Sequence, residues 1–342
     1  MSNKYLVYCC VFYNKDYFRL LNLLLVSMQY FSKKDEFDFL IITGPNFKGA
    51  VDDIGKTFSM NIRIQTFDFT TIFQAACARL FIFEYPEISQ YEKILYLDTD
   101  IILKADITPI FKLEIEDLLY GIESGRLYSA SFGSQFFDHS KIDVSKPGIN
   151  SGTLLFKNSI VINNLFSRIR QHINEFTDSG QQIPYCMDQP FINYHAIKDE
   201  LYNNTLLNAH VSLFEGNDEV NNYETSSICH FSYPIGNFGH KYARMKRFLN
   251  KILGMKKNEV TIRDIINKKY SWGENKNAFI KFNEENAETS WGKATYEIID
   301  THMILAHWNN YYHIIKMNSD YTEYICVCTY PFDFVFHTGK LI

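Results

Sequence analysis

The sequence predicts an α/β protein with a mostly parallel central sheet and helices on both faces. Short apolar runs such as YLVYCCVF at 5–12 are typical of strands that are buried on both faces. They alternate with longer stretches in which apolar residues recur at helical spacing. From residue 268 onwards, short alternating stretches separated by polar turns predict a small antiparallel β domain. We therefore expect a large domain at 1–248, a connector at 249–267 and the β domain at 268–342.

The elements of the large domain are predicted from apolar patterns and from helix- and strand-breaking residues. Gly44 and Pro45 end a strand at 37–43, and Pro86 ends a helix at 71–85. The other predicted strands are 5–12, 61–67, 93–97, 150–156 and 226–231, and the other predicted helices are 16–31, 160–176 and 188–197.

Composition and charge narrow the class of protein. Hydrophobic residues make up 46% and charged residues 21% of the 342 residues, which is typical of a soluble globular protein. The net charge of -5 gives no support for a nucleic-acid partner. The apolar stretch at 20–31 is too short and too often interrupted by polar residues to be a transmembrane segment, and the N-terminus does not resemble a signal peptide. We expect a cytoplasmic protein whose seven cysteines are reduced, and we leave a homodimer open.

Two carboxylates follow the predicted strand KILYL at 93–97. Asp98 and Asp100 are two residues apart, so on an extended chain they share a face. In an open α/β sheet, ligands bind outside the carboxyl ends of the strands, which is where these two aspartates are expected. Two carboxylates there repel each other unless a cation lies between them, and Mg²⁺ or Mn²⁺ would also bind phosphates. The pair alone leaves three possibilities: a solvated loop, a metal site for sugar transfer, or a phosphotransferase with Asp98 as nucleophile. Ile102 disfavours the phosphotransferase, because that class of enzyme needs Thr or Val four residues after the nucleophilic Asp.

The surrounding segment, EYPEISQYEKILYLDTDIILKADITPIF at 84–111, resembles the DxD region of glycosyltransferase family 8. This GT-A-fold family includes glycogenin, galactinol synthase and bacterial lipopolysaccharide galactosyl- and glucosyltransferases. The other segments that resemble the family, in the family's order and within residues 4 to 248, are FYNKDYFRLLNLLLVSM at 12–28, ARL at 78–80, INSGTLLFK at 149–157, YCMDQPFIN at 185–193 and ICHFSYPIG at 228–236.

The resemblance implies a divalent metal, Mn²⁺ or Mg²⁺, held by Asp98, Asp100 and His230, and a UDP-sugar donor. Asp188 and Gln189 are the implied catalytic residues, with Gln189 near the anomeric carbon. The residues that the resemblance assigns to the donor are Asn14, Tyr17, Arg79, Asp98, Thr99, Asn150, Ser151, Gly236, Gly239 and Lys241.

Some of these assignments depart from the family's pattern. The family has a Gly and a Lys at fixed distances after the metal-binding His. Here Gly236 or Gly239, with Lys241, match that pattern only after a short insertion. Glu123 stands where the family often carries an Asp that contacts the sugar.

The function implied is metal-dependent transfer of glucose or galactose from a UDP-sugar to a glycan or protein acceptor, with retention of anomeric configuration. The alternative is a catalytically inactive GT-A-fold protein that binds carbohydrate or acts as a scaffold. Aromatic residues of the C-terminal β domain could contribute to either function by stacking on sugar rings.

Overall fold

The computed structural model describes most of the chain. The described residues are 4–12, 14, 16–58, 60–214, 226–232, 238–255, 265–273, 275–300, 303–308, 311–318, 320–329 and 334–342. The helices are α1 (Asp16–Phe31), α2 (Lys48–Thr57), α3 (Ile72–Ala76), α4 (Thr108–Phe111), α5 (Ile160–Asp178), α6 (Gln189–Lys198) and α7 (Phe238–Met255).

Strands fall into a large-domain set and a C-terminal set. The first set is β1 (Tyr5–Val11), β2 (Asp38–Thr43), β3 (Ile62–Thr66), β4 (Lys93–Leu97), β5 (Ile101–Leu103), β6 (Leu119–Ser124), β7 (Gly148–Lys157), β8 (Tyr202–Asn203), β9 (Val211–Leu213) and β10 (Ile228–His230). The second is β11 (Lys269–Trp272), β12 (Asn275–Phe282), β13 (Ala287–Thr289), β14 (Gly292–Asp300), β15 (Met303–Trp308), β16 (Tyr311–Met317), β17 (Glu323–Thr329) and β18 (Phe334–Lys340).

A seven-stranded sheet forms the centre of the large domain, in the order β3-β2-β1-β4-β7-β6-β8. The first four strands are parallel, as the apolar runs predicted, whereas β7 runs antiparallel to both of its neighbours. One apolar core lies on the face covered by α1 and α7, and a second lies on the face covered by α5 and α6. The carboxyl end of β4 therefore opens in the middle of the sheet, flanked by β1 and β7.

The predicted helix at 71–85 is interrupted in the structure. Its first turn is held by a capping box between Thr71 and Gln74, and α3 then ends at Ala76, with Cys77 as its C-cap. The chain continues as a 3-10 helix from Ala78 to Glu84. The aromatic and β-branched residues at 81–83 are weak helix formers, which is consistent with this early end of the α-helix.

The predicted strand at 226–231 lies outside the central sheet. Its core, β10, pairs antiparallel with β5 and parallel with β9 in a separate three-stranded sheet. In this pairing His230 lies opposite Ile101, the residue that directly follows the carboxylate pair. The small sheet thus carries a distant part of the chain to the end of β4.

The C-terminal domain is an eight-stranded antiparallel sheet whose strands follow in sequence order. The sheet curls until β11 meets β18, where Gly273 N donates to Thr338 O at 2.8 Å and Ile342 N donates to Lys269 O at 2.9 Å. Trp272 lies at the centre of an aromatic cluster inside this curl. The prediction of a C-terminal antiparallel β domain is therefore confirmed.

The helix α7 runs through the predicted boundary at residue 248. Its later turns bury Leu249, Ile252 and Leu253 in the core of the large domain. It also reaches the C-terminal sheet, because Lys246 Nζ lies 2.6 Å from His307 Nε2 of β15. Residues 249–255 of the predicted connector are thus helical, and 256–264 lie outside the described residues.

Two further sequence-based expectations concern cysteines and membranes. The cysteines whose side chains the structure describes carry free thiols. Among the described helices, none combines the length and the hydropathy that a membrane span requires.

Candidate active site

The two aspartates and His230 meet at the carboxyl end of β4. Each of the three side chains offers one ligand atom, and these atoms lie within 4.8 Å of one another. His230 Nε2 is 3.2 Å from Asp100 Oδ1 and 3.9 Å from Asp98 Oδ2. Two backbone hydrogen bonds fix the turn: Asp98 N donates to Gly152 O at 2.8 Å, and Phe231 N donates to Asp100 O at 2.9 Å.

Gly152 on β7 leaves the space in which this cluster fits. A Cβ atom there would lie 2.7 Å from Asp98 Oδ2 and 2.8 Å from His230 Nε2, and it would overlap the His230 ring carbon Cε1. A glycine is therefore required by the close approach of two polar side chains rather than by its backbone angles.

The donor set fits a divalent cation. Asp100 Oδ1 is buried and faces His230 Nε2 at 3.2 Å, without a well-aligned hydrogen bond from the part of the chain that the structure describes. A buried carboxylate oxygen without such a partner is costly unless a cation or ordered water satisfies it. A mixed set of carboxylate and imidazole ligands suits Mn²⁺ better than Ca²⁺, which takes oxygen ligands alone and in larger numbers. Burial would raise the pKa of Asp100, but neighbouring Lys241 and His230 hold it well below its usual value.

Arg79 links the cluster to a second carboxylate. Its guanidinium lies 3.4 Å from Asp98 Oδ1 and 2.9 Å from Asp188 Oδ2, and it donates to Ser151 O at 2.5 Å. The same guanidinium lies over the ring of Tyr96, whose hydroxyl donates to Asp98. Burial raises the pKa of Asp188 to about 6, a rise that Arg79 limits and the charge of Asp98 increases.

Two adjoining compartments open on either side of Arg79 and the aspartate pair. The first, which we call the aromatic compartment, has a volume of about 250 Å³ and is lined by Cys10, Phe12, Tyr17, Ile72, Ala75, Ala76, Arg79, Tyr96, Asp98, Thr99, Asp100 and Lys241. The second, the polar compartment, has a volume of about 220 Å³ and is lined by Ala76, Arg79, Asp98, Asp100, Asn150, Ser151, Gly152, Cys186, Met187, Asp188, Gln189, His230 and Ser232. Both aspartates face both compartments, so a cation held by them would lie on the shared wall.

Most described residues that were singled out in the sequence line one of these compartments, but three do not. Asn14 is exposed and accepts a hydrogen bond from Asp16 N at 2.9 Å, so it caps α1. Gly239 is an exposed residue of α7. Glu123 on β6 lies 3.5 Å from Arg126 and lines neither compartment. Gly236, which was also singled out, lies outside the described residues.

The structure adds Asn193, a supporting residue that the sequence reasoning missed and that bonds to Gln189. Gln189 uses both ends of its amide: Oε1 accepts from Ser151 N at 3.1 Å, and Nε2 donates to Ser131 O at 3.0 Å. Asn193, one helical turn later and fully buried, bonds to both backbone groups of Ile149 and to Gln189 O. Asn193 follows Gln189 by four residues, and this spacing places both side chains on the same helix face. The spacing was therefore the sequence signal that could have indicated Asn193.

Comparisons with known proteins agree with this geometry. The model of the family described as "Glycosyl transferase family 8" matches residues 9–236. A search of curated proteins gave no significant match. Among solved structures, the galactosyltransferase LgtC in complex with donor and acceptor sugar analogues is similar, with a TM-score of 0.50 and 14% identity over 75% of this chain and 97% of that one.

Two further solved structures share the fold. An active-site mutant of LgtC gives a TM-score of 0.50 at 13% identity, covering 71% of this chain and 95% of that one. The apo structure of the bifunctional glycosyltransferase WbbM gives 0.51 at 13% identity over 74% of this chain. This chain spans about half of WbbM, at 52% of its length.

The family match covers well over half of the chain, including both aspartates and His230, and the fold is similar to that of the GT-A-like glycosyltransferases. The chain therefore belongs to glycosyl transferase family 8 and is a glycosyltransferase.

Proposed function

We propose that the protein transfers a hexose, glucose or galactose, from a UDP-sugar to a glycan or protein acceptor in a metal-dependent reaction. The observation that carries this proposal is the position of Asp98 and Asp100 on the wall shared by two compartments of different chemistry, with His230 beside them in the polar compartment. A nucleoside diphosphate sugar has the same three parts in the same order: a flat base with ribose, a charged diphosphate, and a polar sugar ring.

Within this proposal the aromatic compartment holds the nucleoside. Tyr17 and Phe12 offer ring surfaces for the base, and Thr99 borders the path to the aspartates. Tyr17 is 43% exposed, so a base stacked on it would cover an aromatic surface that otherwise faces water.

The polar compartment would hold the sugar. Asn150 and Asp188 supply acceptors for sugar hydroxyls, and Arg79 keeps the Asp188 carboxylate in place. The amide of Gln189 hydrogen-bonds both to β7 and to the loop at Ser131. We therefore propose that Gln189 shapes this compartment near the anomeric carbon.

Asp98, Asp100 and His230 would hold a divalent cation, which would supply a Lewis acid to offset charge on the leaving diphosphate. The protein's own residues orient the donor, and Arg79 and Lys241 add positive charge on the aromatic side. We also propose that the anomeric configuration is retained, as the resemblance to the family implies. Proton NMR of the product, recorded before the anomers equilibrate, tests this: an inverted product would contradict retention.

The test of the function is UDP release from UDP-glucose and UDP-galactose with Mn²⁺ or Mg²⁺, with and without glycan acceptors. We expect Asp100→Asn to reduce the rate by a factor on the order of one hundred, because a ligand of the cation is lost. The matched control is Asp52→Asn, an exposed aspartate on α2 that should change nothing. Equal rates in Asp100→Asn and wild type, or no UDP release with any donor and metal, would contradict the proposal.

A second candidate function is carbohydrate binding by the C-terminal sheet. Trp291 is 49% exposed and meets Trp272 edge-on, with ring centroids 5.9 Å apart. An exposed indole that is supported from behind is a suitable surface for a sugar ring. Binding of a glycan to the full chain that is lost in Trp291→Ala, with UDP release intact, would support this role.

A further inference from the structure

We propose that Lys241 is a built-in counterion that competes with the divalent cation for Asp100, so that cation and donor diphosphate enter the site together. This inference rests on the proposed function, because it needs a donor with a diphosphate. It concerns how the binding of the cation and the binding of the nucleotide are coupled, rather than the identity of the cation ligands.

In the structure, Lys241 already occupies one side of the cation ligand Asp100. Its Nζ donates to Asp100 Oδ2, while His230 Nε2 faces the other carboxylate oxygen at 3.2 Å. Both side chains of the Lys–Asp pair are largely buried, with exposed fractions of 16% for Lys241 and 12% for Asp100. Water and salt therefore screen this ion pair less than they screen an ion pair on the surface.

A divalent cation at the cluster and an ammonium group on the same carboxylate repel each other. The three ligand atoms lie within 4.8 Å, so a cation among them would sit close to Lys241 Nζ. For a cation alone, the cost is either this repulsion or the release of a buried lysine that has lost its partner. Both costs weaken the binding of the cation.

A diphosphate removes that cost. Lys241 lines the aromatic compartment together with Tyr17 and Thr99, on the side where the proposed nucleotide would lie. A lysine ammonium has three donors on a flexible stem, so it can turn from a carboxylate to a phosphate oxygen. The arriving anion thus takes Lys241 from Asp100 and leaves the carboxylate free for the cation.

The consequence is that Lys241 couples the binding of the divalent cation to the binding of the nucleotide. Any nucleotide that also binds the cation directly raises Mn²⁺ affinity, in wild type and variants alike. The part of the coupling due to Lys241 is the part that disappears when its charge is removed, and reciprocity requires the same factor for UDP affinity.

The experiment measures free Mn²⁺ by electron paramagnetic resonance, with and without UDP. The proteins are wild type, Lys241→Met, Lys241→Gln, Lys241→Arg and the exposed control Lys251→Met on the same helix. Without UDP, the neutral variants should bind Mn²⁺ about tenfold more tightly than wild type, whereas Lys241→Arg and Lys251→Met should match wild type. The factor by which UDP improves Mn²⁺ affinity should fall by a similar amount in the neutral variants.

Neutral variants that fold, as judged by thermal melting, yet bind Mn²⁺ without UDP no better than wild type would overturn the proposal. A Lys241→Arg variant that binds as tightly as Lys241→Met would also overturn it, because the charge would then be irrelevant. Calorimetry of UDP with Mn²⁺ and wild type separates the two proposals. If UDP does not bind, the proposed function fails, while the comparison without UDP still decides the role of Lys241.

Discussion

Gly152→Ala should disable the candidate metal site without disrupting the fold. A Cβ atom at this position would lie 2.7 Å from Asp98 Oδ2, whereas ordinary contacts begin at 3.4 Å, so the carboxylate must retreat by about 0.7 Å. For the His230 ring the retreat is larger than the about 0.6 Å that the 2.8 Å approach to Nε2 requires, because the Cβ also overlaps the ring carbon Cε1. Ligand distances in a working metal site hold to about 0.2 Å, so both displacements exceed the tolerance of the site severalfold.

The expected effect on activity is large, and the effect on stability is moderate. A misplacement of about 1 Å at a reacting centre can cost about a hundredfold in rate, so we expect a loss on the order of thirty- to one hundredfold. Overpacking costs about 1–3 kcal/mol in the free energy of unfolding. The Gly152 backbone does not have the positive φ that favours glycine, so the methyl group alone is responsible for both effects.

The assays are Mn²⁺ binding by paramagnetic resonance, UDP release, and urea unfolding. The control is Gly49→Ala, an exposed position on α2 where a Cβ meets nothing within 4 Å. The control should keep full Mn²⁺ affinity. A folded Gly152→Ala protein with wild-type Mn²⁺ affinity would refute the argument that this glycine makes room for the ligands.

Three other predictions follow from buried polar contacts. Arg79→Met should lower the free energy of unfolding by about 3–5 kcal/mol in urea titrations, because it leaves the buried carboxylate of Asp188 without its partner; an equally stable variant would contradict this. Asn193→Leu should cost about 2–4 kcal/mol in the same titration and raise the KM for the donor, because three buried hydrogen bonds to the backbone are lost; an unchanged KM would argue against a role in shaping the site. The third prediction concerns pH and the pair formed by His172 Nδ1 and His195 Nε2, which lie 3.1 Å apart. Burial lowers the pKa of His172, and burial together with His172 lowers the pKa of His195 to about 4. The unfolded chain therefore binds more protons between about pH 6.5 and 4, so the melting temperature should fall as pH drops through this window. His195→Gln should show a smaller fall, and an identical fall would contradict the assignment.

The sequence predicted the parts of the molecule that have local signals. The apolar runs gave the parallel strands, and their alternation with helical spacing gave the fold class. The carboxylate pair was recognisable because it follows the buried strand β4 directly. His230 could be assigned to the same cluster only through resemblance to the family, since nothing in its own segment indicates its partner.

The remaining differences come from tertiary contacts. β10 joins a separate small sheet because β5 is available as its partner, and this pairing leaves no mark in either segment. Asn193 was missed because it supports the site through hydrogen bonds to β7, a strand that is remote from Asn193 in sequence. Asn14 was assigned to the donor, yet in the structure its side-chain oxygen already accepts from the first turn of α1. A cap and a ligand contact require the same type of residue, so spacing alone does not distinguish them.

The length of α7 determines where the protein can be divided. The family match ends at residue 236, and the composition changes near 248, so either position would suggest itself as the end of an independent enzyme. A cut at 248 would pass through the middle of α7 and remove Leu249, Ile252 and Leu253 from the core that also supports β4 and β5. A cut at 236 would in addition remove Lys241, whose ammonium group pairs with Asp100. The shortest chain that retains the whole catalytic core therefore ends no earlier than Met255, beyond both positions.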